Sequence, residues 1–310
     1  MSPGADAGRG QTAPQPAALL RACSSGEAQA VEGLLDAGLS VDQPLDSIGT
    51  TPLMAAASLE LVELLLERGA AVEPTRFGLD ALAIVVSDEH SALAGPDARL
   101  AAARRLVAHG ARLERRNEHG WPRLTVAAFS VDAGAVEALL ALGADPNDEP
   151  PPLGGVCWGT GEDAAATARI VDLLIDAGAD VGRRDGAGWT VLHGAAMPYA
   201  HGAGYASSDG ANPAALAALV RRGVDPDAAG PGGVTALMLA AAGGEIDAAE
   251  TLLAAGADRA RRDDDGRRAL DHARRRDHEL AAAQLAVGSD ASRAVAAARQ
   301  RLARVVARLR

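Results

Sequence analysis

Few residues in this sequence have the chemical type and the spacing that catalysis or metal binding requires. The two cysteines, Cys23 and Cys157, are far apart and form no C-x-x-C pair, and none of the seven histidines lies in an H-E-x-x-H motif. Zinc sites need such closely spaced sulfur and nitrogen ligands. Nucleophile motifs and phosphate-binding glycine motifs are also missing from the strand-to-helix context that they need. The sequence therefore predicts no metal, no cofactor and no enzymatic activity.

One segment, Pro198 to Pro213, has a composition that could carry a site. It holds both tyrosines of the chain, Tyr199 and Tyr205, together with His201, and it is long for a connection between two helices. Three interpretations remain open: a tolerated surface insertion, since a longer loop costs little free energy, a partner-binding loop, or a catalytic loop. The absence of a recognisable nucleophile and base disfavours the catalytic interpretation.

A second candidate is the run Asp263-Asp264-Asp265-Gly266. It has the composition of a calcium-binding loop but lacks the later carboxylates, at fixed spacing, that complete such a loop. We interpret it as a turn and expect its carboxylates to be exposed to solvent.

Around these candidates a sequence motif recurs along the chain, and we call it the recurring phrase. It is fullest at Asp185–Ala196, which reads D-x-x-G-x-T-x-L-H-x-A-A, and a second phrase, I-V-x-L-L-x-x-x-G-A-D-V, ends at Val181. The glycine of the second phrase recurs in each unit; Gly110 and Gly143 are 33 positions apart, as are Gly223 and Gly256. The phrase and its period resemble those of the ankyrin repeat family, and the chain resembles the bacterial type of ankyrin repeat protein. The recurring glycines are Gly38, Gly69, Gly110, Gly143, Gly178, Gly223, Gly256 and, weakly, Gly288.

The pattern has a physical basis in two short helices. The leucine and the alanine pair at i, i+3 and i+4 share one face of a first helix, and V-x-x-L-L forms an apolar stripe on a second. Neither helix is long enough to be stable alone. The resemblance implies an all-α solenoid of about eight helix-turn-helix repeats joined by hairpin-like loops, in which the recurring glycine has a left-handed backbone conformation.

We expect a disordered leader at 1–15, the repeat domain at 16–288 and a basic C-terminal helix at 289–310. Insertions are expected near 87–100, 159–163 and 198–213, between the two helices of the third, fifth and sixth repeats. The second helix of the third repeat is then Ala101 to His109. The second repeat is three residues shorter than a complete one, and we assign the deletion to the turn between its helices. In the eighth repeat we expect a turn between His272 and His278.

The resemblance also implies a binding surface, the groove formed by hairpin tips and first helices. Trp121 and Trp189 follow the hairpin glycine, and Phe77 is a weaker candidate on the same surface. Tryptophan is common at protein interfaces, but either ring could instead cover the next hairpin. His193 takes the histidine position of the family phrase, which implies a structural hydrogen-bonding role. Both cysteines fall near small core positions, where we expect them to be buried.

Composition limits the possible partners and compartments. The formal net charge of −11 argues against nucleic-acid binding by the repeat body. No apolar run has the length of a transmembrane helix, and the leader lacks the apolar stretch of a secretory signal. Two distant cysteines favour a reducing compartment, so we expect a cytoplasmic protein. All 30 cations are arginines, which is typical of a GC-rich genome.

The tail differs from the repeats in charge. Residues 289–310 contain six arginines and one aspartate, with apolar residues spaced by three and four. The tail could pack on the last repeat, and residues 293–310 could instead contact an anionic membrane surface or an acidic partner.

Three functions follow. The first is a cytoplasmic scaffold that binds another protein through the groove. The second is a specific inhibitor or immunity-type protein that binds a toxin or enzyme through the inserted loops. The third, an enzyme with a site around Tyr199, His201 and Tyr205, lacks any supporting motif.

Overall fold

The computed structural model describes residues 16–73, 79–158, 163–196, 211–286 and 291–310. Within these ranges the regular structure is helical, and extended pairing is confined to isolated bridges such as that between Arg116 and Pro122. The predicted all-α fold is therefore confirmed. The helices are α1 (Pro16–Ser25), α2 (Ala28–Asp36), α3 (Leu59–Glu67), α4 (Ala81–Val86), α5 (Pro96–Ala108), α6 (Arg123–Phe129), α7 (Ala133–Ala141), α8 (Pro152–Trp158), α9 (Ala164–Asp176), α10 (Val191–Ala196), α11 (Pro213–Arg221), α12 (Ala236–Gly243), α13 (Ile246–Ala254), α14 (Ala269–Ala286) and α15 (Ala291–Leu309).

The chain forms two compact parts, an N-terminal module (Met1–Leu113) and a C-terminal module (Glu114–Arg310). In the N-terminal module, α1 packs on α2 and α4 packs on α5, while α3 lies between α2 and α5. The second helices of successive repeats thus form one layer, α2, α3 and α5.

The C-terminal module has two layers of helices. The inner layer is the series α6, α8, α10, α12 and α14, and the outer layer is the series α7, α9, α11, α13 and α15; each helix contacts the next one in its own layer. Inner and outer helices of the same repeat also contact each other. This is the stacking of a solenoid, in which each repeat buries its apolar face against its neighbours.

The core consists of the residues that the recurring phrase specifies. In α10, the side chains of Leu192, Ala195 and Ala196 are completely buried, and in α9 so are Val171 and Leu174. The alanines let successive inner helices approach each other closely, and the leucines fill the space between the layers. The low aromatic content of the chain is compatible with such a core because the helices are thin and closely packed.

The recurring glycine follows α2, α3, α5, α7, α9, α11 and α13, as predicted, and Gly288 lies outside the described residues. Gly178 has φ 94° and Gly223 has φ 84°, and the equivalent glycines at 38, 69, 110, 143 and 256 also have positive φ. A Cβ added to Gly178 would meet nothing within 4 Å. Glycine is therefore required at this turn by its backbone conformation and not by lack of space.

The second repeat differs from the prediction, because its missing residues are taken from the first helix itself. Residues Pro52 to Ala55 form only a turn before α3 begins at Leu59. The hydroxyl of Thr51 accepts a hydrogen bond from the Met54 N–H (3.4 Å), and the Ala55 N–H donates to the Thr51 carbonyl (3.1 Å). One turn suffices because Leu53 and Ala56 still reach the core.

The second helix of the third repeat begins earlier than predicted. Helix α5 starts at Pro96, with Gly95 before it and proline in its first turn, and it ends at Ala108. Proline is favoured in the first turn of a helix because its missing N–H would have no partner there. The connection after α4 is therefore shorter than the expected insertion.

The expected turn between His272 and His278 is wrong, since both residues lie in the single helix α14. The sequence from Ala269 to Ala286 contains neither glycine nor proline. Alanine, arginine, leucine and glutamate are strong helix formers, so nothing ends the helix where the other repeats turn.

The C-terminal tail packs on the last repeats. Leu302, Val305 and Leu309 of α15 are buried, and α15 contacts α12, α13 and α14. Arg299 pairs with Asp277 (2.9 Å) and Arg308 pairs with Glu250 (2.7 Å). Helix α15 thus occupies the outer-layer position beside α13, and its apolar stripe is used inside the protein. The three buried residues of the stripe therefore contact the rest of the protein.

In most of the turns between repeats, a side-chain oxygen accepts a hydrogen bond from a backbone N–H in the turn of the next repeat. The Ala71 N–H donates to Asp42, the Arg112 N–H to Glu73, the Asp180 N–H to Asn147 and the Asp258 N–H to Asp227, all at 2.8–3.0 Å; the Asp145 N–H likewise donates to Glu114. We call this series the turn ladder. The position that corresponds to these acceptors and faces the Asp225 N–H is occupied by Gly182, which has no side chain to accept a hydrogen bond.

None of the helices in the described part of the chain is long and apolar enough to cross a membrane.

Candidate functional site

The hairpin tips of the fourth and sixth repeats are each built by one acceptor side chain at their start. Asp185 Oδ1 accepts hydrogen bonds from the N–H groups of Ala187 and Trp189, both at 2.9 Å. Asn117 Oδ1 does the same for His119 and Trp121, at 3.0 and 2.9 Å. The aspartate or asparagine of the recurring phrase therefore fixes the tip and sets the position of the residue after the glycine, where both tryptophans stand.

In the fourth and sixth repeats an arginine just before the tip ties it to the next hairpin. Arg184 donates to the carbonyl of Gly188 in its own hairpin (2.7 Å) and to the carbonyl of Ala229 in the next one (2.8 Å). Arg116 makes the same pair of bonds, to the carbonyls of Gly120 and Glu149. These arginines were not predicted as functional residues, although an arginine stands directly before Asn117, Asp185 and Asp263 in the sequence.

The fifth hairpin is too short to form a complete tip. Eight positions separate Asp145 from Leu153, whereas twelve separate Asp180 from Leu192 and twelve separate Asp225 from Leu237. The sequence between them runs directly from Asp148 through two prolines into α8. The sixth hairpin therefore has no complete hairpin tip next to it on the side of the fifth repeat.

A cavity of about 180 Å³ lies at this place. Its buried residues include Leu153 and Cys157 of α8 and Gly194 of α10, and half-buried Pro150, Trp189 and Val191 also line it. We call it the inter-hairpin cavity, and all of its lining residues belong to the C-terminal module. A cavity of about 150 Å³ with apolar walls is large enough for a benzene ring, so this one can accept one apolar group.

Charged residues line the exposed part of the cavity. Glu149, Asp180 and Asp185 contribute carboxylates, and Arg183 and Arg184 contribute guanidinium groups. Both arginines are engaged within the protein, Arg184 as described above and Arg183 with the Asn147 carbonyl (3.0 Å) and the Glu149 carboxylate. The carboxylates outnumber the cations in this lining.

Carboxylates are also in excess next to the cavity. The pKa of Glu114 is raised, mainly by burial and further by the neighbouring charges of Asp148 and Asp145. Asp148, which is adjacent to Glu149 in sequence, pairs with Arg116 (2.5 Å), and Glu114 and Asp145 add two further carboxylates near the cavity lining. A positively charged ligand would reduce the repulsion among these carboxylates.

Trp189 both lines the cavity and covers the next hairpin. Its ring is 5.2 Å from that of His193, and a Cβ added to Gly230 would be 2.6 Å from its Cε3 atom. The tryptophan therefore lies directly on the Gly230 backbone of the seventh hairpin. Of the two interpretations of this residue, packing on the next hairpin is observed, and its remaining face borders the inter-hairpin cavity.

Trp121 is placed differently. Its ring contacts Phe129 edge to face, with the centroids 5.4 Å apart, and it does not line the inter-hairpin cavity. The structure thus brings only one of the two predicted tryptophans to the cavity. The other predicted partner-binding residues, Phe77, Tyr199, His201 and Tyr205, lie outside the described residues.

His193 has the structural role that was predicted. Its side chain is completely buried, with Nδ1 bonded to the Thr190 hydroxyl (2.8 Å) and Nε2 bonded to the Val234 carbonyl (3.0 Å). It thereby joins its own hairpin to the next one. In the fourth repeat Thr125 takes this position, and its hydroxyl donates to the Pro150 carbonyl at 2.5 Å.

The cysteines are buried free thiols, as expected. Burial raises the pKa of Cys157 to about 12, and that of Cys23 to about 12 as well. Cys157 therefore remains a protonated thiol in the cavity wall, and it lacks the thiolate that nucleophilic catalysis needs. Among the described residues no group of histidine, cysteine and carboxylate side chains is arranged to hold a metal ion.

The acidic run at Asp263 differs from the prediction of exposed carboxylates. Asp263 is buried, and its carboxylate accepts hydrogen bonds from the Arg267 N–H (2.7 Å) and from His272 Nε2 (2.8 Å). Asp264 and Asp265 are exposed. Asp263 is the hairpin-start residue of the eighth repeat, so it does for this tip what Asp185 does for the sixth. Asp185 is exposed at that position, whereas the Asp263 carboxylate is also bonded by the side chains of Arg267 and His272.

The family model described as "Ankyrin repeats (3 copies)" matches residues 3–76 and 204–293. Both stretches contain the helix pairs and closing glycines described above. The chain belongs to the ankyrin repeat family. The inter-hairpin cavity of this ankyrin repeat protein lies between the two matched stretches.

Solved structures that match this ankyrin repeat protein include the human ASB11 ankyrin repeat domain, with 19% identity and a TM-score of 0.44. That alignment covers 82% of this chain and 90% of the human one. No curated protein sequence matches the chain.

Proposed function

We propose that this ankyrin repeat protein is a non-enzymatic scaffold that binds a partner protein on the hairpin-tip side of its C-terminal module. Ankyrin repeats are generally protein-interaction modules. The observation that supports the location is the inter-hairpin cavity beside Trp189, an apolar recess among hairpin tips. A buried apolar recess surrounded by polar residues is typical of the centre of a protein interface.

Trp189 and Trp121 are the proposed contact residues on this side, and Phe77, Tyr199, His201 and Tyr205 remain predicted contacts. The two free, buried cysteines favour a reducing compartment, so we place the protein in the cytoplasm, in agreement with a bacterial scaffold.

The test is affinity capture with mass spectrometry from native cells, comparing the wild-type chain with Trp189→Ala and with the double variant Trp121→Ala/Trp189→Ala. We expect a specific protein to be captured by the wild-type chain and lost from the double variant. Because Trp189 also supports the seventh hairpin, each variant is assayed well below its measured thermal midpoint. Equal capture by the wild-type chain and the double variant would show that the partner binds elsewhere.

A further inference from the structure

The inter-hairpin cavity occupies the place of a missing structural element. In a complete pair of hairpins the first covers the second: Trp189 lies on Gly230, Arg184 donates to the Ala229 carbonyl, and His193 Nε2 donates to the Val234 carbonyl (3.0 Å). On its other side the sixth hairpin faces the short fifth one, which offers Pro150 and Pro151 instead of a tip. The cavity is therefore the space that four further residues of chain would fill.

The size and the lining of this space indicate what can enter it. Its inner lining is apolar, formed by buried Leu153 and Cys157 and half-buried Pro150 and Val191. Its volume of about 180 Å³ fits a single leucine or phenyl side chain. The charged lining adds carboxylates whose charge the two arginines do not fully balance. An apolar group flanked by a cation matches both properties.

We propose that the inter-hairpin cavity is the docking site for a loop of a partner protein, which replaces the missing tip of the fifth hairpin. The loop inserts one apolar side chain beside Trp189 and places a cationic residue among Glu149, Asp180 and Asp185. This proposal rests on the proposed function and specifies the chemistry of the partner.

The first test uses a cyclic peptide, cyclo(Gly-Ser-Arg-Leu-Arg-Gly), and two variants of it, one with alanine for leucine and one with glutamate for both arginines. Binding is followed by NMR through the indole N–H resonance of Trp189. We expect a saturable shift with the first peptide, about tenfold weaker binding for the alanine peptide because the apolar contact is lost, and no saturation for the glutamate peptide. If the glutamate peptide bound as well as the arginine peptide, or if no peptide gave saturation, the proposal would be wrong.

The second test fills the cavity from the protein side. Gly186 lines the cavity and has no atom within 4 Å of an added Cβ, so Gly186→Leu places a side chain there without a clash. Glu118 holds the same position in the fourth hairpin, which does not line the cavity, so Glu118→Leu is the matched control. We expect Gly186→Leu to abolish peptide binding and Glu118→Leu to retain it; equal binding by both would contradict the proposal.

The outcomes separate this proposal from the proposed function. A protein captured from cells by the wild-type chain and by Gly186→Leu, but not by the double tryptophan variant, would leave the scaffold function standing and overturn the docking site. Loss of that protein from Gly186→Leu, together with the predicted peptide preferences, would support the docking site. Absence of capture by the wild-type chain would count against the scaffold function itself.

Discussion

At the residue scale, the contact between Trp189 and Gly230 explains an exception in the repeated hairpins. The fourth, sixth and eighth hairpins start with Asn117, Asp185 and Asp263, whose side chains fix the tip, but the seventh starts with glycine. Gly230 has φ −89°, which any residue can adopt, so its backbone does not require glycine. Trp189 occupies the space that a side chain would need.

This contact predicts that Gly230→Ala is destabilising. The added Cβ would be 2.6 Å from the Trp189 ring and 3.0 Å from His193 Nε2, so we expect a loss of about 1–3 kcal/mol in the free energy of unfolding, measured by urea denaturation. Gly186→Ala, where the added atom meets nothing within 4 Å, is the control and should be neutral. In the double variant Gly230→Ala/Trp189→Ala the two losses should not add, since the clash is absent; strict additivity would contradict this account.

The buried Asp263 leads to a second prediction at this scale. Replacing it by asparagine weakens the hydrogen bonds from His272 and Arg267, and we expect a loss of about 1–3 kcal/mol in unfolding free energy. The exposed neighbour Asp264 provides the control, because Asp264→Asn should change the stability little. Similar stabilities for the two variants would mean that the buried carboxylate contributes nothing to the last hairpin.

The stability that depends on Asp263 should also vary with pH. Burial acts to raise the pKa of Asp263, but the hydrogen bonds from Arg267 and His272 and the charge of Arg267 outweigh it and lower the pKa to about 2. A lowered pKa means that the stabilisation is complete above the pKa of the unfolded chain, about 4, and is lost as the pH falls toward 2. The stability difference between the wild-type chain and Asp263→Asn should therefore narrow between about pH 5 and pH 2.5 in urea titrations. A difference that stayed constant over this range would contradict the assignment.

At the scale of elements, the turn ladder has a gap at Gly182. Each of its other members supplies an oxygen to the N–H of the following turn, as Asn147 does for Asp180 (2.8 Å). Among the described residues no side chain accepts from the Asp225 N–H. Gly182 has an ordinary backbone conformation, and an added Cβ would meet only Asp180 Oδ1, at 3.4 Å.

The gap predicts that Gly182→Asp stabilises the protein. The new carboxylate can accept from the Asp225 N–H, and we expect a gain of about 0.5–1.5 kcal/mol from this hydrogen bond, measured as a rise in the thermal midpoint and in urea stability. Gly182→Ala controls for the reduced freedom of the unfolded chain, which alone can stabilise a protein by about 0.4–1 kcal/mol. Equal gains for alanine and aspartate would show that the ladder bond does not form.

The elements could be predicted from the sequence wherever the phrase is complete. The helix pairs of the fourth, sixth and seventh repeats, the positive φ of the closing glycines and the bonding of His193 all follow from residue types at fixed spacing. The start of α5 at Pro96 and the loss of the first helix at Pro52–Ala55 did not follow, because a deletion or insertion can be absorbed either by a helix or by the turn next to it. Only packing decides between them.

The candidate site was predictable only in part. Trp189 could be proposed from its position after the hairpin glycine, but its packing on Gly230 depends on how two hairpins approach each other. The inter-hairpin cavity was missed, although its cause, the four residues absent between Asp145 and Leu153, can be counted in the sequence. A short hairpin becomes visible as a space only when the neighbouring hairpins are in place.

At the scale of the whole molecule, the helix α15 completes the outer layer of the C-terminal module. Its buried residues Leu302, Val305 and Leu309 cover α13 and α14, which would otherwise expose apolar surface to water. A terminal repeat has to present a polar outer face, and the exposed arginines of α15 supply one. The basic tail, which differs from the repeats in its sequence, is thus part of the folded C-terminal module.

We therefore predict that removing residues 289–310 strongly destabilises the C-terminal module. Truncation removes several contacts at once, so Leu302→Ala isolates one of them. It should lower the free energy of unfolding by about 2–5 kcal/mol because it leaves a cavity in a close-packed site. The exposed Arg304 gives the control, and Arg304→Ala should leave the urea midpoint almost unchanged. A truncated chain with the stability of the full chain would show that α15 is not part of the fold.

The gap in the turn ladder has a consequence for how the C-terminal module opens. Stacked repeats unfold in segments when the interface between two neighbours is weaker than the rest. The sixth repeat has a weak interface on each side. On one side the fifth hairpin is short, and on the other side the hydrogen bond between a side chain at position 182 and the Asp225 N–H of the seventh hairpin is missing. Native-state hydrogen exchange should therefore show that α6–α9 and α12–α15 open as two separate cooperative blocks, with the boundary at the sixth repeat. Gly182→Asp should fuse the two blocks, so that their amide protons exchange with a common free energy.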